Sequence, residues 1–459
     1  TVNLSNNLTV IPPSNFTSGT LTLVDIDAND GTVNNNVANI SITNNALATY
    51  AASAASGTAD VIITATKASS ASIASTLGVT GGAANAVSEA AGALSNVTSS
   101  TDQAILNAFN TAITAGGAQA KNAAQTVNVS EAAISSAGSA AVTATGQQVI
   151  AVGSTRMAAL RTGKAFASAQ ASGFAGGNGN VDTAVWMKPF ANWGDQDVRK
   201  GIAGFETETY GMAIGGDVKI DQSTVGASFS FSNTDVDSKG LDDAQNDIDS
   251  YQATIYADYT TDTYYIEGLI GFARNEIATS RTILLPGNNM TASATYDSNQ
   301  YMVNIGAGMP IEVEKNHYIT PSAQFQYTLV DNETYTESGA GALNLRVDQD
   351  QINVALGVLG MRYHTLNTGN NGTWTPELRA GITYDFAGDD GQSTSIFNGG
   401  GAAFQTTGAD VVELGFRGGL GLSFTPAENH GLSVSANYDL WGKEDFVSHS
   451  ANVSIRLDF

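Results

Sequence analysis

From about residue 183 to the C-terminus the chain alternates between apolar and polar side chains, in runs too long for an ordinary soluble sheet. In the last run Ala451, Val453, Ile455, Leu457 and Phe459 share one face, while Asn452, Ser454, Arg456 and Asp458 share the other. That is the pattern of a strand, whose side chains project with a period of two. The run before it sets Leu432, Val434, Tyr438 and Leu440 against Ser433, Asn437 and Asp439. Further upstream Trp374, Leu378, Ile382 and Tyr384 oppose Thr375, Glu377, Arg379 and Asp385, and Tyr251, Ile255 and Tyr259 oppose Gln252, Thr254 and Asp258. A soluble sandwich also alternates, so alternation alone does not decide the fold. The length of the runs does: about twelve of them recur, most above ten residues, where the usual strand has five or six.

No run of 18 or more apolar residues occurs, so no transmembrane helix is available. A chain that spans a membrane without one must do so as a closed barrel, which leaves no backbone group unpaired. Aromatic residues gather toward the ends of the runs (Trp186, Trp193, Tyr264, Tyr318, Tyr327, Trp374, Trp441), where interfacial girdles are expected. Very short turns at 219–224, 259–264 and 426–430 alternate with longer polar stretches at about 236–247, 281–296, 333–349 and 388–409, as in outer-membrane barrels. The expectation is a mainly β chain built on a 12-stranded antiparallel transmembrane β-barrel.

Composition narrows the function classes. The net charge is −24, without the basic clusters that phosphate binding needs, so nucleic acid is not an expected partner. There are no cysteines, which removes disulfides, thiolate catalysis and Cys-type zinc sites together. The chain begins Thr-Val-Asn-Leu, which reads as a mature protein or a fragment whose targeting segment has been removed.

Upstream of the barrel the texture changes twice. Residues 1–72 are rich in Asn, Thr, Ser and Val, with short strands at 20–25, 37–43 and 59–66. They suit the end of a β-solenoid or a small β-sandwich. Residues 73–128 are an Ala/Ser-rich helical segment, in which 100–113 has a polar cap before apolar residues at helical spacing. Residues 129–182 comprise a candidate helix and a Gly-rich linker ahead of the barrel at 183–459. That helix lacks a broad apolar face; small side chains all round suit a rod about 10 Å across inside a narrow tube. Its basic residues Arg156, Arg161 and Lys164 either meet inward carboxylates such as Glu377, Asp385 and Glu413, or lie at an aqueous mouth.

Several ordered motifs resemble the translocator domain of autotransporters of the type V secretion class. They are Val185-Trp-Met-Lys-Pro-Phe190 with Gly194-Asp195, Thr209-Tyr-Gly-Met-Ala-Ile-Gly-Gly-Asp217, the stretch Tyr335 to Leu345, Pro376-Glu-Leu-Arg-Ala-Gly-Ile-Thr-Tyr384, and the tail Val447 to Phe459. The upstream part is similar to the end of rickettsial surface-antigen passengers. The resemblance implies twelve strands closing around a lumenal α-helix, preceded by a short passenger remnant of solenoid-like and helical character. It implies insertion by the cell's outer-membrane barrel machinery, which reads a last strand ending in an aromatic; Ile455, Leu457 and Phe459 fit that signal. Outer-membrane lipid surrounds such a barrel, expected to be monomeric, and the passenger stands at the cell surface. The function implied is export and anchoring of the chain's own N-terminal part. A surface adhesin or antigen with a host-cell or surface ligand, a porin-like channel, and a soluble sandwich are the rivals. No Asn-Asn pair of the kind used for autocatalytic release stands in the candidate lumenal helix.

Other motifs carry little. Asp25-Ile-Asp-Ala-Asn-Asp-Gly31 resembles a calcium loop, but its Gly falls one position late and position 12 is Asn36. The four histidines show no metal-binding spacing, and no cofactor is expected. His449 stands between Ser448 and Ser450, but neighbours on a strand face opposite ways, so no dyad and no enzymatic activity are expected.

Overall fold

A computed structural model describes residues 8–24, 40–54, 60–132, 181–427 and 431–458. Twelve long strands dominate, numbered here in chain order: β1 Val181–Gln196, β2 Phe205–Ile220, β3 Ser223–Ser238, β4 Gln245–Thr260, β5 Tyr265–Ile283, β6 Met290–Gly308. The second half comprises β7 His317–Asn332, β8 Ile352–Thr365, β9 Gly372–Asp385, β10 Leu414–Pro426, β11 Leu432–Lys443 and β12 Phe446–Asp458. Each pairs antiparallel with its neighbours in sequence, and β12 pairs back onto β1 through Ala451↔Ala191 and Leu457↔Val185. The sheet is therefore a closed barrel of twelve strands without a free edge.

The alternation has the predicted consequence. Outward positions such as Ile214, Ile255, Ile270, Ile305, Leu359, Leu378 and Leu420 are large, apolar and exposed. In water such a band would be a severe liability; in lipid it is the fitting surface. Aromatic pairs bound the band: Trp193–Tyr210, Phe231–Tyr251 and Phe272–Tyr301 at one end, Trp374–Phe424 at the other. Beyond the first belt, outward positions of β2–β4 turn to carboxylates (Glu206, Glu208, Asp235, Asp237, Asp247, Asp249). A lipid face cannot continue through those charges, so the membrane ends there.

Three girdle expectations need correction. Trp186, Trp441 and Tyr318 face the interior, because Val185, Leu440 and the Phe325/Tyr327 register take the lipid side of their strands and put these three on the other. Trp186 is buried and donates to the Tyr256 hydroxyl at 2.8 Å, and Tyr318 stacks on His364. Two of the expected loops are also strand. Residues 236–247 and 281–296 narrow to turns at 239–244 and 284–289, because β3 to β6 keep pairing above the membrane. There both faces of the hairpins meet water or protein, the apolar face is lost, and the sequence reads as loop. The other two loops hold a four-stranded sheet, Tyr335–Thr336, Leu345–Gln349, Gln392–Phe397 and Phe404–Thr407. Strand lengths are uneven around the ring: β5 and β6 have 19 residues each, β10 and β12 have 13 and β11 has 12.

Upstream, residues 70–127 form four helices: α1 Ser70–Leu77, α2 Gly81–Ala93, α3 Ser100–Ala115 and α4 Gly117–Val127. Ser69, Thr80 and Ser99 cap the first three by accepting from the backbone N–H three residues on. The cap of α3 is thus Ser99. Their alanine-rich faces allow close packing, with Val87, Leu94, Ile105, Phe109 and Ile113 supplying the bulk. Before them, Gly19–Val24, Val61–Lys67 and Ala48–Ala54 form a three-stranded antiparallel sheet, and Leu8–Val10 pairs in parallel with Ile40–Ile42. No described helix is long and apolar enough to cross a membrane.

Candidate functional site: the lumen and its outer mouth

The inward positions of the barrel carry the chemistry the lipid face excludes. Along β8–β12 they form a charged network. Arg362 pairs with Glu377 at 2.7 Å, Arg379 pairs with Glu377 and reaches Asp439 at 2.9 Å, and Arg379 also donates to Asn437 at 3.1 Å. Facing them on β10 are Gly419 and Gly421; a Cβ at either would overlap Asp439, Arg379 or Glu377. The glycines are the space the guanidinium lies in. On β1–β4 the Tyr256 hydroxyl lies 3.2 Å from Asp217, and its ring fills the volume a side chain at Gly226 would need.

Of the expected lumenal carboxylates, Glu377 and Asp385 face inward. Glu377 is held by the two arginines, and Asp385 accepts from the backbone N–H groups of Ala355 and Ala387, both at 3.1 Å. Glu413 does not belong with them. It precedes β10, is exposed, and accepts from the lipid-facing Tyr384 hydroxyl at 3.2 Å, because the strand that would turn it inward starts only at Leu414. Arg156, Arg161 and Lys164 lie outside the described residues, as do Asp25 to Asn36 and Phe459. Ile455 and Leu457 point outward from β12, paired with Met187 and Val185. His449 faces lipid and lies 2.6 Å from the Tyr438 hydroxyl, while Ser448 and Ser450 are buried on the opposite face.

At the long-loop end the four helices close over the mouth. Arg281, near the top of β5, is fully buried and makes a two-pronged pair with Glu337, Nε to Oε1 at 2.7 Å and Nη2 to Oε2 at 2.8 Å. Its remaining nitrogen donates to the Thr126 carbonyl of α4 at 2.6 Å, and the Leu284 N–H donates to the Thr126 hydroxyl at 3.0 Å. Glu337 also accepts from the Leu345 N–H at 2.7 Å. Burial disfavours the Arg281 charge, but the Glu337 carboxylate outweighs it and holds the guanidinium pKa above its ordinary value. Around this latch, Asp102 of α3 accepts from the Ala342 N–H at 2.9 Å, Thr406 donates to Asn128 at 2.9 Å, and Glu89 of α2 accepts from the Ala402 N–H at 3.0 Å. Gly341 takes φ +56° to make the turn, where any Cβ would strike Asp102. Apolar residues of helices, loops and strand tops form one cluster, including Phe109, Ile105, Ile277, Leu285, Leu343 and Phe397.

Sequence reasoning had missed this latch. Arg281 and Glu337 are 56 residues apart, and both sat in stretches read as loop. A usable signal was the parity of β5: Leu269, Ala273 and Ile277 are inward, which puts Arg281 on the same face.

The family model of the autotransporter β-domain matches residues 185–439, more than half of the chain. The chain is 24% identical over 284 residues to "Outer membrane protein A" of Rickettsia conorii, covering 60% of this chain and 14% of that protein. It is 24% identical over 297 residues to "Outer membrane protein B" of Rickettsia prowazekii, covering 62% of this chain and 18% of that one. The matched part is therefore less than a fifth of the length of these relatives. In fold the chain is similar to the translocator domain of the autotransporter NalP from Neisseria meningitidis, with TM-score 0.54, 15% identity, 72% of this chain covered and 100% of that one. A closed twelve-strand barrel with a lipid-facing band, a polar interior and these matches together make the chain a member of the autotransporter β-domain family, a barrel of the bacterial outer membrane.

Proposed function

We propose that this barrel exports and anchors its own N-terminal part, carrying residues 1–132 to the outer face. The observation that carries the reading is where the chain stands on either side of the barrel. The helices α1–α4 and Asn128 sit on the long-loop end, which is the outer one, while Val181 begins β1 beside Ile220 and the short Asp221–Gln222 turn at the other end. A connection between those points must pass from one end of the barrel to the other. A path outside would lie in lipid, which the Ala, Ser, Thr and Gly of residues 133–180 do not suit. A path through the polar lumen is the one chemistry favours, and there Arg156, Arg161 and Lys164 would meet Glu377 and Asp385. Residues 1–72 are read as the end of a β-solenoid passenger: the parallel pairing of Leu8–Val10 with Ile40–Ile42 supports stacked coils there, while the antiparallel sheet of Gly19–Val24, Val61–Lys67 and Ala48–Ala54 lies outside that pattern. Insertion machinery would read the lipid-facing Ile455 and Leu457 with Phe459. In this reading no residue performs covalent chemistry.

Single-channel conductance in planar bilayers tests the reading, comparing the full chain with one that begins at Asn180. A low conductance that rises severalfold on truncation is expected. Equal, high conductance from both would make the protein a porin-like channel instead.

A further inference from the structure

Nine of the fifteen buried side-chain atoms that find no hydrogen-bond partner among the described residues lie on the inner face of four adjacent strands, β4 to β7. Near the outer mouth Ser250, Asn275, Ser298 and Asn332 stand directly opposite one another, forming one row across all four strands. Gln252 and Gln300 follow one step inward, on either side of Ala273. Thr328, Asn304 and Gln326 continue the wall, and Asp258 and Glu267 appear only at its inner end. This wall contrasts with the network of Arg362, Glu377, Arg379 and Asp439 on β8–β11, where the charges already answer one another.

Two of the amides are half answered, Gln252 Nε2 donating to Thr254 at 3.0 Å and Asn275 Nδ2 to the Ser298 carbonyl at 3.5 Å. Each buried polar atom left over is nonetheless unfavourable, and a row of them is more than a packing accident would leave. Carboxamides offer both a donor and an acceptor and carry no charge. An extended polypeptide presents N–H and C=O groups with a two-residue repeat, the same spacing as Gln300, Met302 and Asn304 along β6. A wall of this kind therefore bonds the backbone of an extended chain whatever its sequence, and no fixed charge arrests a charged residue in transit. We propose that the inner face of β4–β7 is a hydrogen-bonding track for the polypeptide being exported, in extended form. The inference rests on the export reading above and adds which side of the lumen the passenger uses.

Site-specific photo-crosslinking in cells tests it. The full chain carries Leu21→Cys and Ile63→Cys, at cross-strand partners whose disulfide closes a loop and stalls transit. A photoreactive amino acid is placed at Gln300, Asn304 or Thr328 on the track, or at Asn437 or Asn452 on the far wall. Adducts to residues 1–132 are expected at the track in about tenfold excess, the effect of one to two hydrogen bonds on residence. Equal yields at both walls, or track adducts only to residues 133–180, would overturn the proposal. In a second experiment Gln252→Met, Gln300→Met and Gln326→Met are combined, with barrel assembly followed by resistance to unfolding in detergent. Surface arrival should slow about tenfold in an assembled barrel; an unchanged rate counts against the track, and if the triple variant does not assemble the crosslinks decide. Failure of the export reading looks different: the parent chain without the cysteine pair would never expose residues 1–132 to protease added to intact cells.

Discussion

Arg281 illustrates how a single side chain can fix one part of this molecule on another. Its charge is fully removed from water, and Glu337 with the Thr126 and Leu343 carbonyls replaces the lost hydration. Removing one member of such a pair leaves the other buried and uncompensated, at a cost of about 3–5 kcal/mol. Arg281→Met is therefore expected to release the helices from the mouth, seen as protease cleavage within 100–130 while the barrel stays folded. Arg281→Met with Glu337→Leu should recover much of the loss, since an apolar pair leaves no orphan charge. Glu131 behaves differently. Burial, before the opposing hydrogen bonds from Thr80 and the Ala83 N–H, raises its pKa above the ordinary 4.5. The folded form then binds a proton more tightly than the unfolded one. Stability from this group is fully present below pH about 4.5 and declines as pH rises through the raised value. Glu131→Gln should raise the melting temperature of the helical cap at pH 7 and leave it unchanged near pH 4.

At the level of elements, the cap depends on a few large side chains set in alanine. Phe109 is completely buried between helices and rim, and Phe109→Ala should destabilise the cap by about 3–5 kcal/mol. Circular dichroism melting of the helical signal would register it, with the strand signal unmoved. The strands were the legible part of this chain. A period of two, sustained with Ile, Leu and Tyr on one face and Glu, Arg and Asp on the other, follows from lipid on one side of a wall and water on the other. Legibility stopped where the membrane does. Above Arg274, β5 has Glu276 and Ser280 outward and Asn275 and Arg281 inward, so neither face repeats an apolar signal. The helices were legible as helices and silent about their packing. Alanine faces such as Ala83, Ala84, Ala86 and Ala90 leave no apolar stripe to read, and what they touch is set by contacts to residues some 300 positions away. The lumenal network was half legible: strand parity placed Glu377 and Asp385, and failed for Glu413 because it stands one residue outside its strand.

For the whole molecule, the export reading puts two obstacles in series between the two ends of the bore. The helices sit over the mouth; the second obstacle, in that reading, is the connection between Ala132 and Val181. A chain starting at Val129 removes only the first, so its conductance should fall between that of the full chain and that of the chain starting at Asn180. If all the gain comes with the first deletion, the mouth rather than the bore is what restricts flow.

The unequal strands have a consequence for direction. A difference of six residues between β5 and β12 amounts to roughly 20 Å of wall at about 3.3 Å per residue. The outer rim is thus high beside the 284–289 hairpin and low beside Glu444 and Asp445. The hydrogen bonds that hold the cap come from Arg281 and Leu284 beside the tall β5–β6 hairpin and from Ala342 and Ala402 in the loops between β7 and β10, so the cap is moored to the high side of the mouth like a boat to its quay.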